Sequence, residues 1–125
     1  MLNHRKTICL ISFSPICRDS RVLRQIKYLA PYYDLTIIGY GEPHPDWKQL
    51  PNVRWLSLQP GKPKFYWSFL YLLLGKIYTQ AYERWYWLKP PHRKALEFLN
   101  TLRPDVIYAN EWDSLPLAAR AASLQ

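Results

Sequence analysis

The sequence predicts an α/β fold in which a mainly parallel sheet is flanked by helices. Two observations carry this. Short apolar runs of β-forming residues, Thr7-Ile8-Cys9-Leu10-Ile11-Ser12-Phe13 above all, read as strands buried on both faces. Stretches with apolar residues at helical spacing lie between them, giving the order β-α-β-β-α-α-β-α. Strands that alternate with helices build parallel sheets covered on their faces.

Each element has its own signals. After the first strand, Ser14-Pro15-Ile16-Cys17-Arg18 is a loop, because Pro15 disfavours helix before it. Asp19 or Ser20 can cap the next helix. Val22, Ile26 and Leu29, joined by Leu23 and Ala30, form its apolar stripe, and Pro31 ends it. Residues 35–39 make the second strand. Residues 41–51 contain three prolines and read as a loop. Residues 53–58 alternate and make the third strand. Pro60-Gly61-Lys62-Pro63 breaks the chain again. One long helical stretch is expected over 64–88, with Gly75 able to split it. Tyr66, Leu70, Leu73, Ile77, Ala81 and Leu88 form a stripe expected to face the core. Trp67, Tyr71, Leu74, Tyr78 and Tyr82 form a second, aromatic stripe roughly 100° around the helix. Pro90-Pro91 separate it from a helix with the stripe Ala95, Leu96, Leu99 and Leu102. Arg103-Pro104 stops that helix. Residues 105–109 make the fourth strand, and Asp113 or Ser114 caps a last helix over 115–124.

Composition excludes several classes. The 125 residues suit one domain, and 49% apolar residues suffice for a core. Two cysteines, Cys9 and Cys17, cannot staple a disulfide scaffold, and His4, His44 and His92 show no metal-ligand spacing, so no metal site is expected. Cys9 reads as a small buried apolar residue, and nothing near Cys17 marks it as a nucleophile. The first apolar run is too short for a secretory leader, and Arg18-Asp19 stand where a cleavage site would be. The apolar stretch at 65–74 is ten residues long, too short for a span of ~20. Free cysteines fit a reducing cytosol.

Charge is unevenly placed. The chain carries 17 basic and 9 acidic residues, a net +8. Residues 1–30 hold six basic residues and one acid; residues 61–94 hold seven and one. Such blocks favour nucleic acid, acidic lipid or a phosphorylated small molecule, or simply a solvated basic surface. Ten of the twenty aromatic residues lie between Phe65 and Trp87. Trp and Tyr favour the lipid headgroup region, and basic side chains are drawn to anionic lipid. Lys62, Lys64, Trp67, Tyr71, Tyr78, Trp85 and Trp87 are therefore expected to contact an anionic membrane surface. Packing against other protein, or sugar stacking by some of the Trp residues, would use the same residues. No nucleic-acid module's motif is present, so no nucleic-acid partner is expected.

Two stretches carry a resemblance. The first is Ile8-Cys9-Leu10-Ile11-Ser12, then Asp19-Ser20-Arg21-Val22-Leu23-Arg24, running on to Gly39. The second is Leu102-Arg103-Pro104-Asp105-Val106-Ile107-Tyr108-Ala109-Asn110-Glu111, then Ser114-Leu115-Pro116-Leu117-Ala118-Ala119. Together they resemble the N-terminal domain of GT-B-fold glycosyltransferases of family 4, a group of retaining enzymes. That family often reads "D-x-R-V" after its first strand, and "P-D-[VI]-[IV]-H-A-H-D" then "T-L-P-x-A-A" around its fourth. The resemblance covers residues 7–39 and 99–122, about half the chain. It implies that residues 1–125 are a Rossmann-like acceptor-side half of a GT-B fold. A C-terminal donor-binding half, with the nucleotide-sugar site, would be the missing partner, so this chain alone would not transfer sugar. The implied location is cytoplasmic, peripheral at the inner face of the membrane.

The departures from the family are informative. Its members often have glycines in the loop after the first strand, where backbone amides approach the donor phosphate. Ser14-Pro15-Ile16-Cys17-Arg18 has none, though Arg18 can supply charge. Tyr108-Ala109-Asn110-Glu111 replaces His-Ala-His-Asp, and Asn110 can hydrogen-bond a hydroxyl but cannot titrate near neutrality. The family is generally thought to use the donor's own phosphate as base, so no catalytic residue is assigned to this chain.

Ligands in such sheets bind beyond the carboxyl ends of the strands. Ser14, Ile16, Arg18, Asp19, Arg21, Asn110, Glu111 and Asp113 are therefore expected to line a cleft for a sugar or lipid-linked acceptor. The plain alternatives are a helix cap for Asp19 and Asp113, a solvated residue for Arg21, and ordinary loop positions for Asn110 and Glu111. Two functions follow: the acceptor-binding part of a membrane-peripheral glycosyltransferase, or a non-catalytic Rossmann-like module that binds membrane and scaffolds a partner.

Overall fold

The computed structural model describes residues 4–60 and 65–125; side chains at 65–68 fall outside the description. The predicted α/β class holds. Four strands, β1 (Thr7–Pro15), β2 (Asp34–Tyr40), β3 (Val53–Leu58) and β4 (Val106–Ala109), form one sheet in the order β3-β2-β1-β4. Every pairing is parallel. The helices are α1 (Ser20–Leu29), α2 (Pro45–Lys48), α3 (Phe65–Gly75), α4 (Thr79–Leu88), α5 (Pro90–Leu102) and α6 (Leu115–Ser123). A single 3-10 turn, Ile16–Arg18, joins β1 to α1.

Both faces of the sheet are covered, which is why the inner strands are apolar without alternation. On one face, Ile8, Leu10, Leu35 and Ile37 pack with Val22 and Ile26 of α1, and Trp47 of α2 joins them. On the other, Cys9, Ile11 and Ile38 pack with Tyr86, Leu99 and Leu117 of α4, α5 and α6. Burial pushes the Cys9 thiol up to about 12, so it is an apolar filler. At the amino end of the sheet the Asp105 carboxylate accepts from the Thr7 amide at 2.7 Å and its hydroxyl at 2.9 Å, clipping β4 to β1. At the other end the β1–β2 register shifts. Ile11 pairs with Ile38 and Pro15 with Tyr40, so four steps along β1 face two along β2. Such bulges re-aim side chains next to sites.

Two open alternatives are decided, the split after Gly75 and the cap of the last helix, and two expectations change. The 64–88 stretch is two helices, because the chain leaves the helix after Gly75 and Tyr78 is extended. Its first stripe is not a core face: Leu70, Leu73, Ile77 and Leu88 are all exposed. A stripe continues only while the helix does, and the helix ends at Gly75 and restarts at Thr79. The proline-rich 41–51 segment holds the short α2, since Pro45 occupies the first helical turn, where its missing amide costs nothing. Last, Ser114 rather than Asp113 stands at the N-cap of α6, with no side-chain cap bond. Its hydroxyl instead donates to the Glu111 carbonyl at 2.8 Å.

Candidate functional site

The strand order places β1 between β2 and β4, so the chain switches direction across the sheet at the β1–β4 pair. In open parallel sheets this is where a crevice forms beyond the strand ends. The segments leaving β1 and β4 converge there. The Asn110 amide donates to the Ile11 carbonyl at 3.0 Å, extending the β1–β4 ladder to the crevice floor.

Asp19 organises the β1 side. It caps α1, accepting from the amides of Arg21 at 3.0 Å and Val22 at 3.5 Å. Its carboxylate also accepts from Ser14 at 2.7 Å and Ser12 at 3.2 Å. Burial alone would raise this carboxyl. The bonds from Ser14, Arg21 and the helix amides outweigh that and bring it down to about 2. The bulge in β1 aims Ser12 and Ser14 at it, and their hydroxyls lie 2.7 Å apart.

Arg21 ties the two sides together. Its guanidinium reaches Asp19 at 3.2 Å and Glu111 at 2.8 Å. Two carboxylates already match its charge, so it is not a spare phosphate ligand. One turn along α1, Gln25 donates to the Asn110 side-chain oxygen at 2.7 Å. Asn110 also donates to the Ile11 carbonyl at 3.4 Å. Both ends of its amide are therefore engaged. Gln25 is left with a buried oxygen that has no hydrogen-bond partner.

Asp113 presents a second such oxygen. Burial first, and the neighbouring Glu111 second, raise its carboxyl above the ordinary range. Burial and these two carboxylates raise the Tyr40 phenol too. Burial lowers Lys89, whose ammonium sits 3.8 Å over the Trp85 ring. His92 lies buried in the same neighbourhood, stacked 4.2 Å from Tyr86 and edge-on to Phe13 at 4.3 Å.

The arrangement is rich in acceptors. Asp19 is satisfied by Ser12, Ser14, Arg21 and the α1 amides, and Glu111 by Arg21, whereas one oxygen each of Gln25 and Asp113 is buried without a donor. A ligand bearing hydroxyl groups satisfies such a site better than an anion does. Beside it, Ser14, Pro15, Arg18, Asp19 and Ser20 line a shallow cleft of about 260 Å³. A larger groove of about 660 Å³ opens between α4 and α6, where Arg120 lies 4.7 Å from the Trp87 ring.

Of the residues singled out from sequence, Ser14, Asp19, Arg21 and Glu111 form one bonded cluster, Asn110 bonds Gln25 and the Ile11 carbonyl beside it, and Asp113 lies within electrostatic reach of Glu111. Arg18 is exposed at the rim. Ile16 is fully buried in the α1-side core, turned inward against Gly39, and is not among the residues that line the shallow cleft beside Asp19. Ser12, Gln25 and Lys89 were not singled out for the site, whereas Tyr40 stands at a strand end where a ligand was expected. Gln25 had a legible signal, since it stands four residues after Arg21 on the same helix face. Of the residues expected at a membrane, Lys62, Lys64 and the Trp67 side chain lie outside the described residues. Tyr78 is exposed, whereas Tyr71, Trp85 and Trp87 are half-buried. Among the described residues no cluster of His, Cys, Asp and Glu could hold a metal, and no helix is long and apolar enough to cross a membrane. No family model, curated protein or solved structure matches the chain.

Proposed function

We propose that this chain is the acceptor-binding part of a glycosyltransferase. A nucleotide-sugar bound by a second domain would donate to a lipid-linked or polysaccharide acceptor held in the β1–β4 crevice at a membrane surface. The single observation that supports this is a polar cluster at the switch point of a parallel sheet, in which Arg21 bridges Asp19 and Glu111 with Gln25, Asn110 and Asp113 close by. Asn110 positions Gln25, and Arg21 holds the two walls in register. The resemblance of the Asp19–Arg24 and Pro104–Glu111 stretches to family 4 glycosyltransferases points the same way. No base is assigned within the crevice.

The test is transfer of radiolabelled sugar from a panel of nucleotide-sugars into membranes by the native gene product. Gln25→Ala and Asn110→Ala should each reduce turnover by about tenfold or more, the scale of one buried hydrogen bond to a reacting partner. Transfer that ignores both substitutions removes the crevice from the reaction. A product that transfers nothing yet binds membrane favours the non-catalytic scaffold.

A further inference from the structure

We propose that α3 embeds shallowly in one leaflet of a bilayer and anchors the chain by apolar contact. This does not rest on the sugar-transfer reading. It assigns the contact to leucines of α3, beyond the basic and aromatic residues expected to meet headgroups.

The first observation is exposure. Phe69 is 58% exposed, and Leu70, Leu72, Leu73 and Leu74 are each 37–48% exposed. At about 100° per residue these five cover an arc of roughly 200°. Ile77, just beyond the helix, is 73% exposed. The second is composition: Phe65–Gly75 contains no charged residue. A helix that docks on protein by one face keeps a polar back. Here α3 packs against α4 and is apolar over more than half its circumference, so one protein surface would leave part of it wet. A fluid apolar medium covers the whole arc.

Length and flanks say which medium. Eleven residues rise about 16 Å, half of a hydrocarbon core of ~30 Å, so α3 can enter a leaflet but cannot cross both. Lys76 and Tyr78 follow at once and are exposed, and Arg84, Arg93 and Lys94 are exposed beyond them, against the one acid Glu83. Cations and tyrosines bordering an apolar helix match an anionic headgroup layer around an acyl interior.

The test is flotation with phosphatidylcholine–phosphatidylglycerol vesicles in ~0.1 M and ~1 M NaCl, which shortens the Debye length from ~10 to ~3 Å. The parent chain should stay bound at both. Leu73→Glu/Ile77→Glu should lower the bound-to-free ratio by at least about tenfold at high salt. Leu72→Ser/Leu73→Ser should lower it too, which separates lost apolar contact from repulsion by an added charge. All three positions are exposed, so the melting temperature should hold. Arg84→Gln/Arg93→Gln/Lys94→Gln should weaken binding at low salt and leave the high-salt fraction intact. Full release of the parent by salt would overturn the proposal, leaving surface electrostatics. So would a parent that never floats but elutes as a dimer that Leu73→Glu/Ile77→Glu makes monomeric, since a second copy would then be the occupant.

Discussion

His92 is kept neutral by its surroundings. Burial first, then the Lys89 charge, push it from 6.5 to about 4, and its contact with the Tyr86 carbonyl offsets only part of this. Between those two values the unfolded chain takes up a proton that the folded chain refuses. Stability is therefore full above about pH 6.5 and falls as pH drops toward 4. Asp19 adds a second loss lower down: its folded value is depressed from 3.8 to about 2, so its contribution goes as pH falls through that range. Urea midpoints of the parent should thus decline between pH 6.5 and 4, and His92→Phe, which keeps a ring stacked on Tyr86, should flatten that decline. An unchanged slope in His92→Phe would contradict the assignment. At this scale much of the crevice was legible, because Asp19, Arg21, Asn110 and Glu111 are polar residues just past apolar strands. Asp19 is both the cap of α1 and the centre of the bonded cluster, so a cap role does not remove it from the strand-end cluster. The direction of Ile16 was not legible, because a loop residue's direction depends on the turn, and the 3-10 turn swings it inward.

Gly39 shows how an element sets the site. A Cβ there would lie 2.5 Å from the Ile16 side chain and 2.7 Å from the Ser12 carbonyl oxygen. A backbone oxygen cannot yield as a flexible side chain can, so β2 passes under the β1–α1 connection only as glycine. Gly39→Ala should destabilise by about 1–3 kcal/mol, read as a lower urea midpoint, and should disturb Ser12 and Asp19 above it. A midpoint equal to the parent's would mean that the connection is slack. Strands were the most legible elements, since burial on both faces forces continuous apolar runs. Helix ends were less so. Apolar periodicity ran unbroken through Gly75, so only the glycine itself signalled the turn that the backbone makes at Lys76–Tyr78. Prolines misled at α2 for a related reason: they forbid a helix interior and favour a first turn.

At the scale of the whole molecule, sequence order implied a parallel sheet but not the place of β4. Connection length does not say on which side of β1 a later strand docks. The order β3-β2-β1-β4 decides it and so creates the crevice. The same arrangement separates the charges: the crevice gathers three carboxylates, whereas Lys76, Arg84, Arg93 and Lys94 face solvent on the α3–α5 segment. One molecule thus presents an acceptor-rich crevice at the strand ends and an apolar, basic-flanked helix elsewhere.

The most direct test is an NMR titration of the isotope-labelled chain with neutral mono- and disaccharides, using inorganic phosphate as the anionic control. A hydroxyl-binding crevice predicts saturable amide shifts within residues 12–25 and 110–114 on adding saccharide, and little there on adding phosphate. Phosphate shifting those amides while every saccharide leaves them in place would contradict the account.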